Sequence, residues 1–242
     1  MDRRDFIKKT TLAAAGAAIA SPVSAMLTNS ESGKTLKVLL VNGSPRNDGN
    51  TYCCLKEIEA ELQKQGIASE IVQIGRKPVR MCIGCGGCRE NGGAGCVFTD
   101  DQCAVITEKL KESDAIIVGT PVYYGQPNGG ILSLMQRLFY SAGHLAKDKP
   151  AAALAVCRRG GATATLQTMN MMFEMMNMPV VTSQYWNIAY GSAKGEVKLD
   201  TEGMQTMRTL ADNMAFLLTK IHANGTPGYP EREPWKPMNF IR

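Results

Sequence analysis

Four cysteines crowd into the stretch CIGCGGCRENGGAGC. They are Cys82, Cys85, Cys88 and Cys96, with two, two and seven residues between successive members. Thiolate sulfur binds iron and zinc well, and the intervening glycines allow a short chain to wrap around a bound group. Four closely spaced thiolates are the usual ligand set of a 4Fe-4S cluster. The spacing therefore indicates a metal-binding loop.

The same spacing leaves two alternatives to an iron–sulfur cluster. Zinc also takes four thiolates, but its sites more often join two C-x₂-C pairs across a longer stretch. Disulfides form in oxidising compartments, but cysteines so close together in a tight turn meet the bond geometry poorly. Zinc-bound cysteines and metal-free cysteines therefore both stay open for this loop.

The other reactive side chains are interpreted as structural. Cysteines at the start of a helix, after a helix cap or at the end of a strand are expected to pack in the core, and the two histidines are expected at the surface or at helix ends. These residues are Cys53, Cys54, Cys103, Cys157, His144 and His222. No side chain is predicted to act as a catalytic acid, base or nucleophile.

The first 25 residues begin with the pair Arg3-Arg4, continue with an Ala/Gly run and end in small residues. This segment resembles a twin-arginine signal, followed by a linker over residues 26–35. Such export carries folded proteins, which suits a protein with a bound cofactor. We therefore predict a periplasmic or otherwise extracytoplasmic protein. Removing the segment takes away four basic and two acidic side chains, so the net charge falls from +5 to +3, too low to indicate nucleic-acid binding.

Apolar runs rich in strand formers alternate with amphipathic stretches over residues 36–223. The predicted strands are 36–41, 67–74, 114–120, 151–157 and 179–185, and the predicted helices are 51–65, 101–112, 130–142, 163–176 and 202–223. This alternation predicts one α/β domain with a flavodoxin-like, doubly wound, five-stranded parallel sheet. The methionine-rich stretch 169–178 is interpreted as a buried or subunit-facing helix, and the proline-rich residues 224–242 as an extended tail.

Ligands of such sheets bind at the carboxyl ends of the strands, which directs attention to three loops. The first, GSPRNDGNT, gathers hydroxyl, amide and guanidinium groups at the start of a helix, where free N–H groups and the helix dipole favour an anion. A phosphate is the natural ligand. The second loop, TPVYYGQPNGG, offers two tyrosines and many amides that could flank a flat aromatic ring.

The first two loops together resemble those of the flavodoxin-like NADPH-dependent FMN reductases, and with the cysteine loop the chain resembles their iron–sulfur flavoprotein branch. The resemblance implies contacts to the FMN phosphate from the first loop, to the ribityl chain and ring from the second, and to the polar edge of the ring from the third, Arg158 to Ala162. The implied FMN-binding residues are Ser44, Arg46, Asn50, Thr51, Pro121, Val122, Tyr123, Tyr124, Gly125, Arg159, Gly160 and Gly161. Members of that family often have a Lys and an Asp-Arg pair in the helix that follows the second loop. In this sequence only the arginine, Arg137, is present.

The resemblance implies an oxidoreductase in which FMN carries the chemistry and the protein supplies position and electrostatics. NAD(P)H is the co-substrate that the family suggests, and after export a quinone or a redox protein becomes an alternative donor or acceptor. A homo-oligomer, dimeric or larger, is also expected from the resemblance. The competing hypotheses are a non-catalytic electron carrier of the flavodoxin type and a zinc-stabilised flavin-binding protein.

Overall fold

The computed structural model describes residues 35–225, 227–234 and 236. The predicted export signal, residues 1–25, lies outside these ranges, as does the linker except for its last residue. No helix within the described ranges has the length and apolar character needed to cross a bilayer.

Five parallel strands form the main sheet, in the order β2-β1-β3-β5-β6. A sixth strand, β4, is only two residues long and pairs antiparallel with the end of β3. The strands are β1 Lys37–Asn42, β2 Ala68–Gln73, β3 Ala115–Tyr123, β4 Gln126–Pro127, β5 Ala151–Cys157 and β6 Ile188–Tyr190. The flavodoxin-like fold class is therefore confirmed, but the strand count of five was wrong, because a short hairpin adds β4.

Six α-helices are described, and they cover both faces of the sheet. They are α1 Asn50–Lys64, α2 Gly87–Glu90, α3 Gln102–Lys111, α4 Gly129–Ala142, α5 Ala162–Met175 and α6 Thr201–Ile221. The five longer helices lie within a few residues of their predicted positions. Helix α2 lies inside the cysteine loop and was not predicted, because a single turn leaves no periodic pattern.

The core consists of two apolar layers, one on each side of the sheet. Along β1, Leu39 and Val41 pack with α3, α4 and α5, whereas Val38 and Leu40 pack with α1 and α6. Both faces of the strand are fully buried, which explains why β1 is apolar without alternation. The cysteine loop runs from β2 to α3 and packs on the first of these layers through Val79 and Cys96.

The predicted fifth strand, residues 179–185, was wrong. Only one bridge forms there, between Val180 and Ala151, and pairing with β5 resumes at Ile188. Between these points the side-chain amide of Asn187 donates to the carbonyl of Ala153 at 3.1 Å and to that of Val181 at 3.4 Å. One buried side chain thus satisfies carbonyls that a continuous strand would have paired.

The described part of the proline-rich tail has no regular secondary structure. Arg232 anchors it to the domain through a salt bridge to Asp148 at 2.6 Å and a hydrogen bond to Asn177 at 3.1 Å. Of the two histidines, His222 is the C-terminal cap of α6 and is buried, and His144 lies in a turn of 3-10 helix after α4. Both positions agree with the predicted placement at surfaces or helix ends.

Candidate functional site

The loops after β1, β3, β5 and β6 emerge at the same edge of the sheet, because these strands are parallel neighbours. In the first loop the backbone of Gly43 donates to the carbonyl of Gly119 at 2.7 Å, and a Cβ on Gly43 would lie 2.8 Å from Ile131. Only glycine fits this close approach. The contact ties the first loop to β3 and to the helix that follows the second loop.

Buried polar side chains fix the shape of the first loop. Asn42 at the end of β1 accepts from the backbone N–H of Ser44 at 3.1 Å and donates to the carbonyl of Arg46 at 3.2 Å. Gln73 at the end of β2 hydrogen-bonds to Asn42 and to the carbonyl of Ser44. The hydroxyl of Ser44 accepts from the backbone N–H of Arg46 at 3.1 Å, so its own proton is still available to a ligand.

Helix α1 begins directly after this loop without a side-chain cap. Its N-cap is Gly49, which offers no acceptor to the N–H groups of the first turn. Those N–H groups and the positive end of the helix dipole therefore face the loop that holds Ser44 and Arg46. Thr51 is buried in the first turn, and the Arg46 side chain is exposed. Three of the four residues predicted to contact the phosphate thus lie at or just before the start of α1.

Asn50, the fourth, makes a different contact. Its side-chain amide donates to the carbonyl of Ala193 at 2.9 Å, and its oxygen accepts from the N–H of Val197 at 3.4 Å. A Cβ on Gly191 would lie 2.9 Å from the same amide nitrogen. Asn50 therefore attaches the loop after β6 to the first loop, and its predicted contact with phosphate stays a prediction.

The second loop is a β-hairpin whose turn residues are Tyr124 and Gly125. Val122 pairs with Pro127 and Tyr123 with Gln126, and the two turn residues have φ values of 51° and 76°. Two successive positive φ angles are typical of a type I′ turn. The turn projects Tyr124 fully into solvent, and Tyr123 is half exposed beside it. Large aromatic surface is thus presented at the carboxyl edge, where the flavin ring was predicted.

The third loop, residues 158–161, lies against this hairpin. Gly161 has a φ of 87°, and a Cβ on it would lie 2.6 Å from the Cα of Gly125 and 3.2 Å from the side chain of Val122. Arg159 and Gly160 are exposed. Burial raises the pKa of the Cys157 thiol at the end of β5, which agrees with its interpretation as a packing residue. The structure therefore brings the second and third loops together.

The loop after β6, residues 191–195, also reaches this edge and was not predicted. Lys194 forms an ion pair with Asp48 of the first loop. Glu196 accepts from the backbone N–H groups of Ala193 and Ser192, and these hydrogen bonds hold the pKa of its carboxyl below the ordinary value. The loop could have been predicted from the end of the parallel strand before it, β6. That strand was predicted several residues too early, at 179–185.

The four cysteines of the cysteine loop line one small cavity, of about 20 Å³, against α4. Cys82 and Cys85 are exposed, Cys88 is buried and Cys96 is half buried. All eight cysteines of the chain lie in the described ranges, and all are free thiols. Nowhere in those ranges do three Cys, His, Asp or Glu side chains converge closely enough for a single metal ion. The structure therefore gathers the four thiols on one cavity without arranging them around one ion.

Comparisons with known proteins agree with this fold. The profile of the family described as NADPH-dependent FMN reductase matches residues 36–193. The chain is 34% identical over 194 residues to an iron–sulfur flavoprotein of Methanocaldococcus jannaschii, covering 77% of this chain and 99% of that protein. It is 32% identical over 198 residues to an iron–sulfur flavoprotein of Methanosarcina thermophila, covering 78% and 98%. A flavodoxin, WrbA-like protein from Agrobacterium tumefaciens superimposes with a TM-score of 0.53 at 16% identity, covering 77% and 99%, a likeness of fold alone.

Proposed function

This chain belongs to the NADPH-dependent FMN reductase family, and we propose that it is an FMN-binding oxidoreductase that transfers electrons between FMN and a 4Fe-4S cluster. FMN would lie at the carboxyl edge of the sheet, and the cluster would be held by Cys82, Cys85, Cys88 and Cys96. The observation that carries the proposal is the uncapped start of α1 beside Ser44, next to the aromatic hairpin at Tyr123 and Tyr124.

The first loop suits the phosphate of FMN. An anion there would receive the N–H groups of the first turn of α1, the hydroxyl proton of Ser44 and the guanidinium of Arg46. Neither carboxylate near this loop opposes such an anion strongly. Asp48 is paired with Lys194, and that hydrogen bond holds the pKa of Asp48 below its ordinary value. Glu196 is engaged by backbone N–H groups.

The hairpin and the third loop suit the ring. Tyr123 and Tyr124 offer aromatic surface, and the exposed loop that contains Arg159 and Gly160 offers backbone N–H groups and a cation to the polar edge of a flavin. Bound FMN supplies hydride acceptance and one-electron transfer, so the side chains of this chain need only bind and orient it. That role agrees with the positions of His144 and His222, which belong to helix ends.

The cysteine loop suits a four-iron cluster better than one zinc ion. Each thiolate of a cluster binds a different iron, so its four ligands lie farther apart than the four ligands of zinc. The described thiols share a cavity but do not converge on one point. The two relatives from Methanocaldococcus and Methanosarcina are iron–sulfur flavoproteins. These observations support the cluster among the three states of the loop that the sequence left open.

The electron donor is proposed to be NAD(P)H, which the family name suggests. A quinone or redox protein replaces it if the chain is exported, as the twin-arginine-like start indicates. Rapid oxidation of NADH or NADPH with an added acceptor under steady-state conditions supports the enzyme. A stable one-electron-reduced flavin without turnover supports the alternative, a flavodoxin-type carrier.

Export and assembly follow as further proposals. Cell fractionation of an epitope-tagged chain, with Arg3 and Arg4 changed to lysine as the control, tests the extracytoplasmic location. Light scattering of the FMN-loaded protein tests the expected homo-oligomer.

A titration of the flavin-free protein with FMN and with riboflavin tests the phosphate site directly. The two ligands share the ring and differ in the phosphate. Tight binding of FMN with binding of riboflavin at least about tenfold weaker, or about 1.4 kcal/mol, is the expected result. Equal affinities would place the binding energy in the ring alone and contradict the phosphate site.

A further inference from the structure

Arg137 of α4 is a buried cation beneath the cysteine loop. Only 2% of its surface is exposed. One terminal nitrogen donates to the carbonyl of Arg80 at 3.0 Å and pairs with the carboxylate of Asp101, which is also buried. The other terminal nitrogen donates to the carbonyl of Phe98 at 2.8 Å. Arg80 lies two residues before Cys82 and Phe98 two residues after Cys96, so a single guanidinium joins both ends of the loop.

The same guanidinium lines the cavity that the four cysteines share. Burial lowers the pKa of Arg137, but the neighbouring Asp101 and Cys96 raise it, and the net shift is upward. Its Nε is buried and has no hydrogen-bond partner within the described structure. An unsatisfied buried donor of a charged group is costly, so such a donor on a residue that lines the cysteine cavity indicates that an acceptor belongs there.

We propose that Arg137 is the positioning residue of the cysteine site: it holds both ends of the loop and directs N–H groups at the sulfur atoms of the bound cluster. The proposal rests on the proposed function, because it takes the cluster as the occupant of the cavity. A cation and N–H donors stabilise the more negative, reduced form of a cluster more than the oxidised form. Arg137 therefore raises the reduction potential of the cluster.

Arginine is required for this role because its planar guanidinium carries several N–H donors in a fixed arrangement. Its two terminal nitrogens reach two carbonyls and one carboxylate from one rigid group. Lysine would keep the charge but has a single nitrogen, which cannot reach both ends of the loop at once. Arg137→Lys is therefore a conservative variant that separates charge from positioning.

The guanidinium is tested by removing the ion pair as a unit, which leaves the net charge unchanged and takes away the N–H donors. Arg137→Gln alone would leave Asp101 buried without its partner, which is strongly destabilising. The double variant Arg137→Gln/Asp101→Asn avoids this, and asparagine can still cap α3, where Asp101 accepts from Cys103 N–H at 3.0 Å. Arg89→Gln is the matched control. It also removes a guanidinium, from the loop itself next to Cys88, but this guanidinium is exposed and bonds to the hydroxyl of Tyr140.

The experiment measures the cluster potential of the four iron-loaded, FMN-loaded proteins by anaerobic redox titration followed by electron paramagnetic resonance. The double variant is expected to shift the cluster equilibrium at least about tenfold toward the oxidised form, equivalent to about 59 mV for one electron. The FMN potential and the Arg89→Gln protein should match the wild type. Arg137→Lys should fall between the wild type and the double variant.

Hydrogen exchange of the iron-free proteins gives a second, cluster-independent measurement. Peptides covering residues 80–98 should exchange at least about tenfold faster in both Arg137 variants and at wild-type rates in Arg89→Gln. Unchanged potential in the double variant, or unchanged exchange, would overturn the role of Arg137. A wild-type protein that binds FMN but no iron would overturn the cluster and this inference together. If the wild-type protein binds iron but the double variant has the same cluster potential, this inference alone is overturned.

Discussion

The backbones of Gly161 and Gly125 touch, so closely that a Cβ on Gly161 would lie 2.6 Å from the Cα of Gly125. This contact joins the loop after β5 to the tyrosine hairpin after β3. The two loops were both predicted to contact the flavin ring, and their contact fixes the position of one relative to the other.

Gly161→Ala should therefore weaken FMN binding. The methyl group would displace the hairpin, and the φ of 87° disfavours any side chain, at a combined cost of about 1–3 kcal/mol. We expect at least an about tenfold rise in the FMN dissociation constant, measured by flavin fluorescence. Gly129→Ala is the matched control, because a Cβ there meets nothing within 4 Å and its φ is not positive. Equal effects of the two substitutions would contradict the role of the contact.

Ser44→Ala should weaken the binding of FMN but not that of riboflavin. A hydrogen bond to a charged group contributes about 1.5–3 kcal/mol, so FMN affinity should fall about ten- to hundredfold. Isothermal titration of both ligands checks this. Ser192→Ala, on the neighbouring loop after β6, serves as the control. Equal losses for the two flavins would show that the substitution disturbs the loop as a whole.

Asn128→Ala should destabilise the domain through α4. Asn128 caps this helix by accepting from the N–H of Gly130 at 2.9 Å, and loss of an N-cap costs about 0.5–2 kcal/mol. The free energy of unfolding from urea denaturation should fall by that amount, and Asn128→Asp should restore it. Full stability of the alanine variant would show that another group satisfies the start of the helix.

The cysteines should differ sharply in their reactivity toward iodoacetamide. In the iron-free protein at pH 8, the exposed Cys82 and Cys85 should react first. Burial raises the pKa of Cys103 to about 11 and raises that of Cys54, so both should stay thiols and react only on unfolding. Peptide mass spectrometry checks the order. Reconstitution with iron and sulfide should protect Cys82 and Cys85, and unchanged labelling after reconstitution would count against the cluster.

Most of the fold could be predicted because its strands are continuous apolar runs. Strand β5 has the predicted bounds, since all its residues are buried on both faces. The fifth parallel strand could not be placed, because Pro179, Val180 and Val181 have the composition of a strand but make only one bridge. The buried amide of Asn187 takes over the pairing there, and nothing in the local pattern indicates such a contact between distant residues.

The candidate site was predicted in part for the same reason. The first, second and third loops follow strands whose ends were located to within three residues, so their convergence could be inferred from topology. The loop that contains Lys194 follows the misplaced strand and was missed. The role of Arg137 was missed because its partners, Arg80, Phe98 and Asp101, lie far away in sequence. Packing of the cysteine loop on α4 leaves no periodic signal.

The central claim is that one chain carries both FMN and a four-iron cluster. The most direct measurement is the visible absorption spectrum of anaerobically purified protein, with iron, zinc and acid-labile sulfide determined on the same sample. We expect flavin bands over a broad iron–sulfur absorbance, with about four iron and four sulfide per chain and no stoichiometric zinc. Flavin without iron and sulfide would contradict the cluster, and a protein without flavin would contradict the proposed function as a whole.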